Sequence, residues 1–326
     1  MLKIRDVTVD PPLVLAPVAG CTDSLFRRVI KDLGGCGLVV SELVSTEGLT
    51  RYHYRTTRLA HFVESERPVS IQIFGSDSGR MAESAAMVES MGADIVDINA
   101  GCPVRKIVKQ GGGSNLLRDL PLLGKIIKEV RKAIRIPLTI KIRSGWDRNS
   151  INAIEVLKLA EDCGVEALAI HGRTRSELFS GRADWEIIRK VKQQARIPII
   201  GNGDVFSPED AERMFQDTGV DAVMIGRGVT SNPWLICQSW DHLCGKQVIS
   251  LSLKQKADFM STFLRRICTD VPPPVALGKM KKIGGYLSKG LPQGARLRAR
   301  IHNAHTIEEY FDVLRDYINR EIDNKV

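Results

Sequence analysis

Gly164-Val-Glu-Ala-Leu-Ala-Ile-His171 reads as the end of one element followed by the whole of the next. Gly164 closes the amphipathic stretch Ile151–Cys163 and suits a left-handed helix C-cap; Ala167–His171 then reads as a buried strand ending on a polar residue. The same order of glycine, spacer, acid and strand returns at Gly92-Ala-Asp94 and Gly219-Val-Asp221. Arg135-Ile-Pro137 and Arg196-Ile-Pro198 likewise lead into strands. Outward from these repeats, apolar runs at Leu13–Ala16, Leu38–Ser41, Val69–Ile73, Ile95–Asn99, Leu138–Arg143, Ala167–His171, Pro198–Gly201 and Ala222–Ile225 alternate with helical patterns such as Met81–Met91 and Pro208–Gln216. Their Val and Ile content and turn-residue borders are those of buried parallel strands. Eight βα units predict an α/β fold, a TIM (β/α)8 barrel over residues 1–243. An open doubly wound sheet would want a glycine-rich fingerprint after its first strand, and Ala16-Pro-Val-Ala-Gly20 is not one. Beyond residue 244 the strand pattern stops. Leu253–Cys268 and Thr306–Ile322 read as helices, with Pro272-Pro-Pro274 breaking the chain between them. Residues 244–326 are therefore expected to form a small C-terminal helical domain.

Composition bounds the function classes. A hydrophobic fraction of 43% and a charged fraction of 26% in 326 residues suit a globular protein and exclude a disordered or collagen-like chain. No apolar run approaches the roughly 18–20 residues that span a bilayer, and Met1 to Pro12 lacks a signal-peptide core, so no membrane partner and a cytoplasmic address are expected. Seven cysteines, an odd count with no CxxC pair, argue against a disulfide framework and a metal site. Nothing points to an obligate protein partner. The net charge of +9 is uneven: residues 245–326 carry 15 basic against 8 acidic residues. Lys279, Lys281, Lys282, Lys289, Arg296, Arg298 and Arg300 fall in one stretch without an acid. Such a field attracts polyanions, nucleic acid above all.

Barrels place their chemistry at the C-terminal ends of strands. There Gln72 interrupts Ile71 and Ile73, Asn99 ends its strand, Lys141 and Arg143 alternate with Ile140 and Ile142, His171 ends the sixth run and Asn202 follows the seventh. Singly, each is equally a capped strand end. Together, polar groups on five strands flanked by apolar residues want a polar ligand. Gly201-Asn-Gly-Asp204 and Gly226-Arg-Gly228 follow strands seven and eight, where barrels often bind phosphate; glycine lets backbone N–H groups approach an anion and Arg227 adds charge. Cys102 sits just past strand four on a loop running through Gly111-Gly-Gly113. A thiol that stays protonated at neutral pH can serve as a general acid; as a nucleophile it would need a base, and His171 is the nearby-strand candidate.

Ala16-Pro-Val-Ala-Gly20, Gln72-Ile-Phe-Gly75, Asp97-Ile-Asn-Ala-Gly-Cys-Pro103, Lys141-Ile-Arg143, His171-Gly-Arg173, Gly201-Asn-Gly-Asp204 and Ile225-Gly-Arg-Gly228, in this order, resemble the tRNA-dihydrouridine synthases, most closely the bacterial B-type. The resemblance implies FMN at the barrel mouth and reduction of tRNA uridine, in the D-loop, to 5,6-dihydrouridine with NADPH or NADH. It implies that Pro17, Val18 and Ala19 lie against the flavin, that Gln72, Lys141 and His171 contact its ring, and that Asn202, Gly203, Asp204, Gly226 and Arg227 hold its ribityl-phosphate end. Asn99 and Arg143 would face the target base, and Cys102 would protonate uracil C5 after hydride reaches C6. Lys281, Lys282, Arg298 and Arg300 would grip tRNA phosphates. Val18 stands where the family often has Met, and Ala100 and the glycine run also depart from the commonest wording. A flavin-dependent barrel reductase of a small molecule, like dihydroorotate dehydrogenase, shares the phosphate loops but gives no reason for the basic tail.

Overall fold

The computed structural model describes residues 1–321. Eight parallel strands close into a barrel: β1 (Leu13–Leu15), β2 (Leu38–Val40), β3 (Val69–Phe74), β4 (Ile95–Ala100), β5 (Leu138–Arg143), β6 (Ala167–His171), β7 (Ile199–Asn202) and β8 (Ala222–Ile225), with β8 paired to β1. The expected strands are all present, most shifted at their ends by a residue. Two pieces were not expected: the antiparallel hairpin Leu2–Ile4/Val7–Val9, whose apolar and polar residues do alternate, and the two-residue strand Val44–Ser45, too short for a pattern, which pairs with the end of β3.

Strand parity separates two cores. Leu13, Leu15, Ile140, Ile142 and Ile170 point outward and pack under the surrounding helices. Val14, Ala167, Ala169, Ile200 and Ala222 belong to a separate inner cluster, which also takes in Leu2, Ile4 and Val9 of the hairpin. The hairpin thus plugs the bottom of the barrel with side chains. Arg5 fastens it there, donating to the Arg135 carbonyl at 2.6 Å. Climbing the inner face, the columns turn polar: Ile95, Asp97, Asn99 on β4 and Thr139, Lys141, Arg143 on β5. Register keeps them level, with Asn99 opposite Lys141 and Arg143 opposite His171.

The C-terminal part has four helices rather than the two expected: Leu253–Asp270, Pro273–Leu287, Gly294–Asn303 and Ile307–Glu321. Pro272-Pro-Pro274 does stop the first, but proline is also tolerated at a helix's first turn, so it starts the second. Ile322, the expected end of the last helix, lies outside the described residues. The four helices share a core in which the Tyr310 hydroxyl donates to the Met280 carbonyl at 3.2 Å. Gly284 has to be glycine there, because a Cβ would meet that hydroxyl at 1.8 Å. The bundle docks on the barrel wall beside β1. Phe263 lies 5.9 Å from Phe26, Arg266 pairs with Asp32 at 2.9 Å, Lys279 pairs with Asp23, and Lys282 Nζ reaches the Ala19 carbonyl at 3.3 Å.

Candidate active site

A cleft of about 990 Å³, counting its open mouth, occupies the C-terminal end of the barrel. Pro17, Val18, Ala19, Asn99, Cys102, Lys141, Arg143, His171, Asn202, Gly203, Asp204, Gly226 and Arg227 all line it. These are thirteen residues from six strands that the sequence analysis had singled out. Gln72 is not on that surface. It is wholly buried behind Asn99, accepting from Asn99 Nδ2 at 2.7 Å and donating to Asp97 Oδ2 at 2.6 Å.

The Cys102 loop hangs on this buried relay. Thr139 donates to Asp97 at 2.5 Å, Gln72 joins Asp97 to Asn99, and Asn99 Oδ1 accepts from the backbone N–H of Gly101 at 3.2 Å and of Cys102 at 2.9 Å. The Asn99 carboxamide thus holds the loop through Oδ1 and, lining the cleft, keeps a second Nδ2–H beyond the one given to Gln72. Burial raises the Asp97 carboxyl to about 6. The Cys102 carbonyl accepts from Ser114 Oγ at 2.7 Å and closes the loop from the other side.

Burial pushes the Cys102 thiol above its ordinary value, although Arg143 and Lys141 pull it down, so it is a thiol at neutral pH. His171 makes no hydrogen bond to this thiol among the described residues, and its surroundings make it a weak base. Burial first, then the surrounding Lys141, Arg143, Arg173 and Arg227, hold the imidazole well below 6.5 and therefore neutral. Its Nδ1 faces the Arg173 N–H at 3.1 Å and accepts from it, which leaves the proton on Nε2. Burial and then Arg143 lower the Lys141 ammonium to about 8; it donates to Asn202 Oδ1 at 2.9 Å and keeps two further N–H bonds to offer. Arg143 is fixed by donation to the Gly101 carbonyl at 3.1 Å and the Thr174 carbonyl at 2.6 Å.

At the far end stands Asp204, with φ +55°, gripped by both terminal nitrogens of buried Arg173 at 2.7 Å. Burial alone would raise its carboxyl; Arg173 brings it below the usual range. Arg227 joins it at 3.0 Å and lies over the rings of Phe179 and Phe206, 4.5 and 5.3 Å from their centroids. The backbone N–H groups of Gly203, Asp204 and Gly226 donate to nothing among the described residues. Phe179 and Phe206 escaped the sequence analysis, and Arg173 and Asp97 stood there in quoted motifs without a role of their own. Asp97 gave the further signal of an acid inside an apolar strand.

The tail residues divide. Lys281 and Lys282 sit on the helix that faces the barrel, and Lys282 reaches Ala19 beside the cleft. Arg300 instead pairs with Asp316 at 2.7 Å, and Arg298 donates to the Ser288 carbonyl at 3.3 Å, so both hold the bundle together. Arg300 has its charge offset by Asp316, whereas Arg298 is partly buried against a neutral carbonyl. All seven cysteines are free, and no cluster of metal-ligating side chains occurs among the described residues.

Comparison with known proteins narrows what this cleft belongs to. The barrel is similar in fold to a 2-naphthoyl-CoA reductase (TM-score 0.58, 16% identity, 75% of this chain), of which the chain spans about half, 52%. It is also similar to a morphinone reductase solved with tetrahydroNAD (TM-score 0.51, 12% identity, covering 78% of this chain and 92% of that one). In sequence the chain is 37% identical over 320 residues to tRNA-dihydrouridine synthase B of Xanthomonas campestris, covering 98% of this chain and 96% of that one. It is 38% identical over 305 residues to the Pseudomonas aeruginosa protein of that name (93% and 91%), and 36% over 304 residues to a probable tRNA-dihydrouridine synthase of Rickettsia conorii (93% and 92%). The model of the dihydrouridine synthase family matches residues 14–323, from the first barrel strand to beyond the last described residue. With relatives aligned nearly end to end as well, the chain belongs to the dihydrouridine synthase family.

Proposed function

We propose that this enzyme reduces uridine to 5,6-dihydrouridine in tRNA, with FMN as cofactor and NADPH or NADH as reductant, in the cytoplasm. The observation that carries the reading is a half-buried thiol, raised above its ordinary value, on the wall of a cationic cleft in a chain of this family. The cleft fits a flavin nucleotide. Unpartnered N–H groups at Gly203, Asp204 and Gly226, with Arg227 beside them, suit its phosphate end, and Lys141 offers donors to a polar ring edge. Pro17, Val18 and Ala19 give an apolar wall for the ring, and neutral His171 presents Nε2–H as a donor. When bound, FMN supplies the hydride that saturates the uracil C5–C6 bond.

The chain's own part is positioning and proton delivery. Cys102 donates its proton to uracil C5, Asn99 and the relay behind it fix the loop that carries the thiol, and Arg143 stands on the wall nearest Cys102. Gln72 acts behind the site through Asn99 and Cys102, while Asn99 also lines the cleft and faces the target base. We assign residues 1–243 to catalysis and 244–326 to gripping tRNA, with Lys281 and Lys282 as contacts and Arg298 and Arg300 as the braces that shape that surface. The small-molecule reductase alternative leaves this second part without a task.

The test replaces Cys102 with Ala and follows tRNA turnover beside flavin content. The variant stays yellow and loses about 10²–10⁴-fold in turnover, the usual worth of a general acid. Native-rate modification of tRNA by Cys102→Ala removes the acid assignment; equal reduction of free orotate and tRNA by the unaltered enzyme favours the small-molecule reading.

A further inference from the structure

Arg51-Tyr-His-Tyr-Arg55-Thr-Thr-Arg58 has no part in the site described so far. Tyr52 and Tyr54 are 77% and 71% exposed, more than any other aromatic side chain among the described residues. The remaining exposed aromatics, Phe179 and Phe206, both line the cleft. Arg51, His53, Arg55 and Arg58 are exposed around them, and the eight-residue segment holds no acid.

The segment follows in the chain directly on residues at the cleft. Leu43 lines the cleft, and Val44–Ser45 pairs with Ile73 and Phe74 at the C-terminal end of β3. The chain then runs through the short helices Thr46–Thr50 and Tyr54–Ala60. It is also held firmly. The Tyr52 N–H donates to the Leu49 carbonyl at 2.9 Å and the His53 N–H to the Gly48 carbonyl at 2.8 Å. Gly48 packs so closely on Thr56 that a Cβ would lie 2.4 Å from its hydroxyl. Tyr52 keeps φ +54°, a conformation that bulky residues rarely adopt. The chain thus holds an apolar ring outward at a backbone cost with nothing of its own to cover it. Arg51 pairs with Glu47 at 2.5 Å, and Arg58 lies 5.9 Å from the centre of the Tyr54 ring. No carboxylate pairs with Arg55 or Arg58 among the described residues.

Rigid exposed rings between unpaired arginines match the two halves of an unpaired nucleotide, a π-face and a phosphate. We propose that Tyr52 and Tyr54 form a stacking platform for unpaired bases next to the target nucleotide of the RNA, with Arg55 and Arg58 on the phosphates between them. The proposal rests on tRNA being the substrate. A loop nucleotide drawn into the cleft leaves its neighbours unstacked at the rim, where these rings take over the lost stacking.

The experiment measures tRNA affinity of the flavin-loaded enzyme against salt for the unaltered chain, Tyr52→Ala/Tyr54→Ala, Tyr52→Phe/Tyr54→Phe and Arg55→Ala/Arg58→Ala. Flavin content and reduction of the bound flavin by NADPH without RNA serve as controls for folding. The alanine pair is expected to bind tRNA about tenfold or more weakly with an unchanged salt slope, and the phenylalanine pair to restore affinity. The arginine pair is expected to lower the salt slope by about 1.5. An alanine pair that binds within twofold of the unaltered enzyme, or a phenylalanine pair as weak as the alanine pair, overturns the platform alone. If the unaltered enzyme neither binds nor modifies tRNA, the proposed function fails first and the platform with it.

Discussion

Cys102 is held by its backbone and kept protonated by burial, and both are measurable. A thiol above its ordinary value should alkylate slowly at pH 7. Iodoacetamide labelling of the empty cleft should stay slow at neutral pH and rise only above about 8.5, the value of a free thiol. Fast labelling at pH 7 would show a thiolate and reverse the acid assignment. Lys141 titrates in the opposite sense of charge. Its ammonium is cationic below about 8 and neutral above. Affinity of the empty cleft for FMN should therefore fall as pH rises through that value, and Lys141→Met should bind more weakly at pH 7 with that dependence removed. Isothermal titration at pH 7 and 9 decides this.

Single elements depend on buried pairs far apart in the chain. The helix Ser24–Leu33, which follows β1, is tied to the short turn Glu64–Glu66 by Arg27 Nε and Glu66 Oε2 at 2.6 Å, both side chains fully buried. Arg27 also donates to the Thr22 and His61 carbonyls at 2.9 and 2.8 Å, while Glu66 accepts from Ser24 Oγ and the Val63 N–H. Glu66→Ala leaves a buried guanidinium without its counter-charge. Such a loss costs about 3–5 kcal/mol, so the urea midpoint should fall well below that of the unaltered protein. A midpoint unchanged by Glu66→Ala would mean that water reaches Arg27. No local pattern in Ser24–Leu33 announces this pairing, because the partner lies 39 residues away.

Across the whole molecule, the excess positive charge of the tail meets the cleft at Lys282 and spreads over the helices Pro273–Leu287 and Gly294–Asn303. Phosphate contacts release counterions, so tRNA affinity should fall steeply with salt. Lys281→Ala combined with Arg296→Ala should lower the slope of log affinity against log salt by about 1.5, whereas Arg300→Ala, freed of a charge already paired with Asp316, should change it little and loosen the bundle instead. Equal slopes for both variants would place tRNA elsewhere on the surface.

The polar columns at the strand ends were legible because a strand repeats every two residues: Lys141 and Arg143 between isoleucines must share a face, and the closed barrel turns that face inward. The glycine turns after β7 and β8 and the cysteine after β4 were legible by their place just past a strand. What a side chain does when it arrives was not. Gln72 and Asn99 both read as cleft residues; Asn99 is one, yet the inner face sets Gln72 a layer below, so Gln72 binds Asn99 and Asn99 also holds the loop. Arg298 and Arg300 read as free cations until the fold brought Ser288 and Asp316 to them. Phe179, Phe206 and the Arg27–Glu66 pair owe their roles to neighbours distant in the chain. Periodicity and turn chemistry are local and can be read in order along the chain. Hydrogen-bond partners and burial depend on which distant segments close on one another, and only the folded barrel settles that.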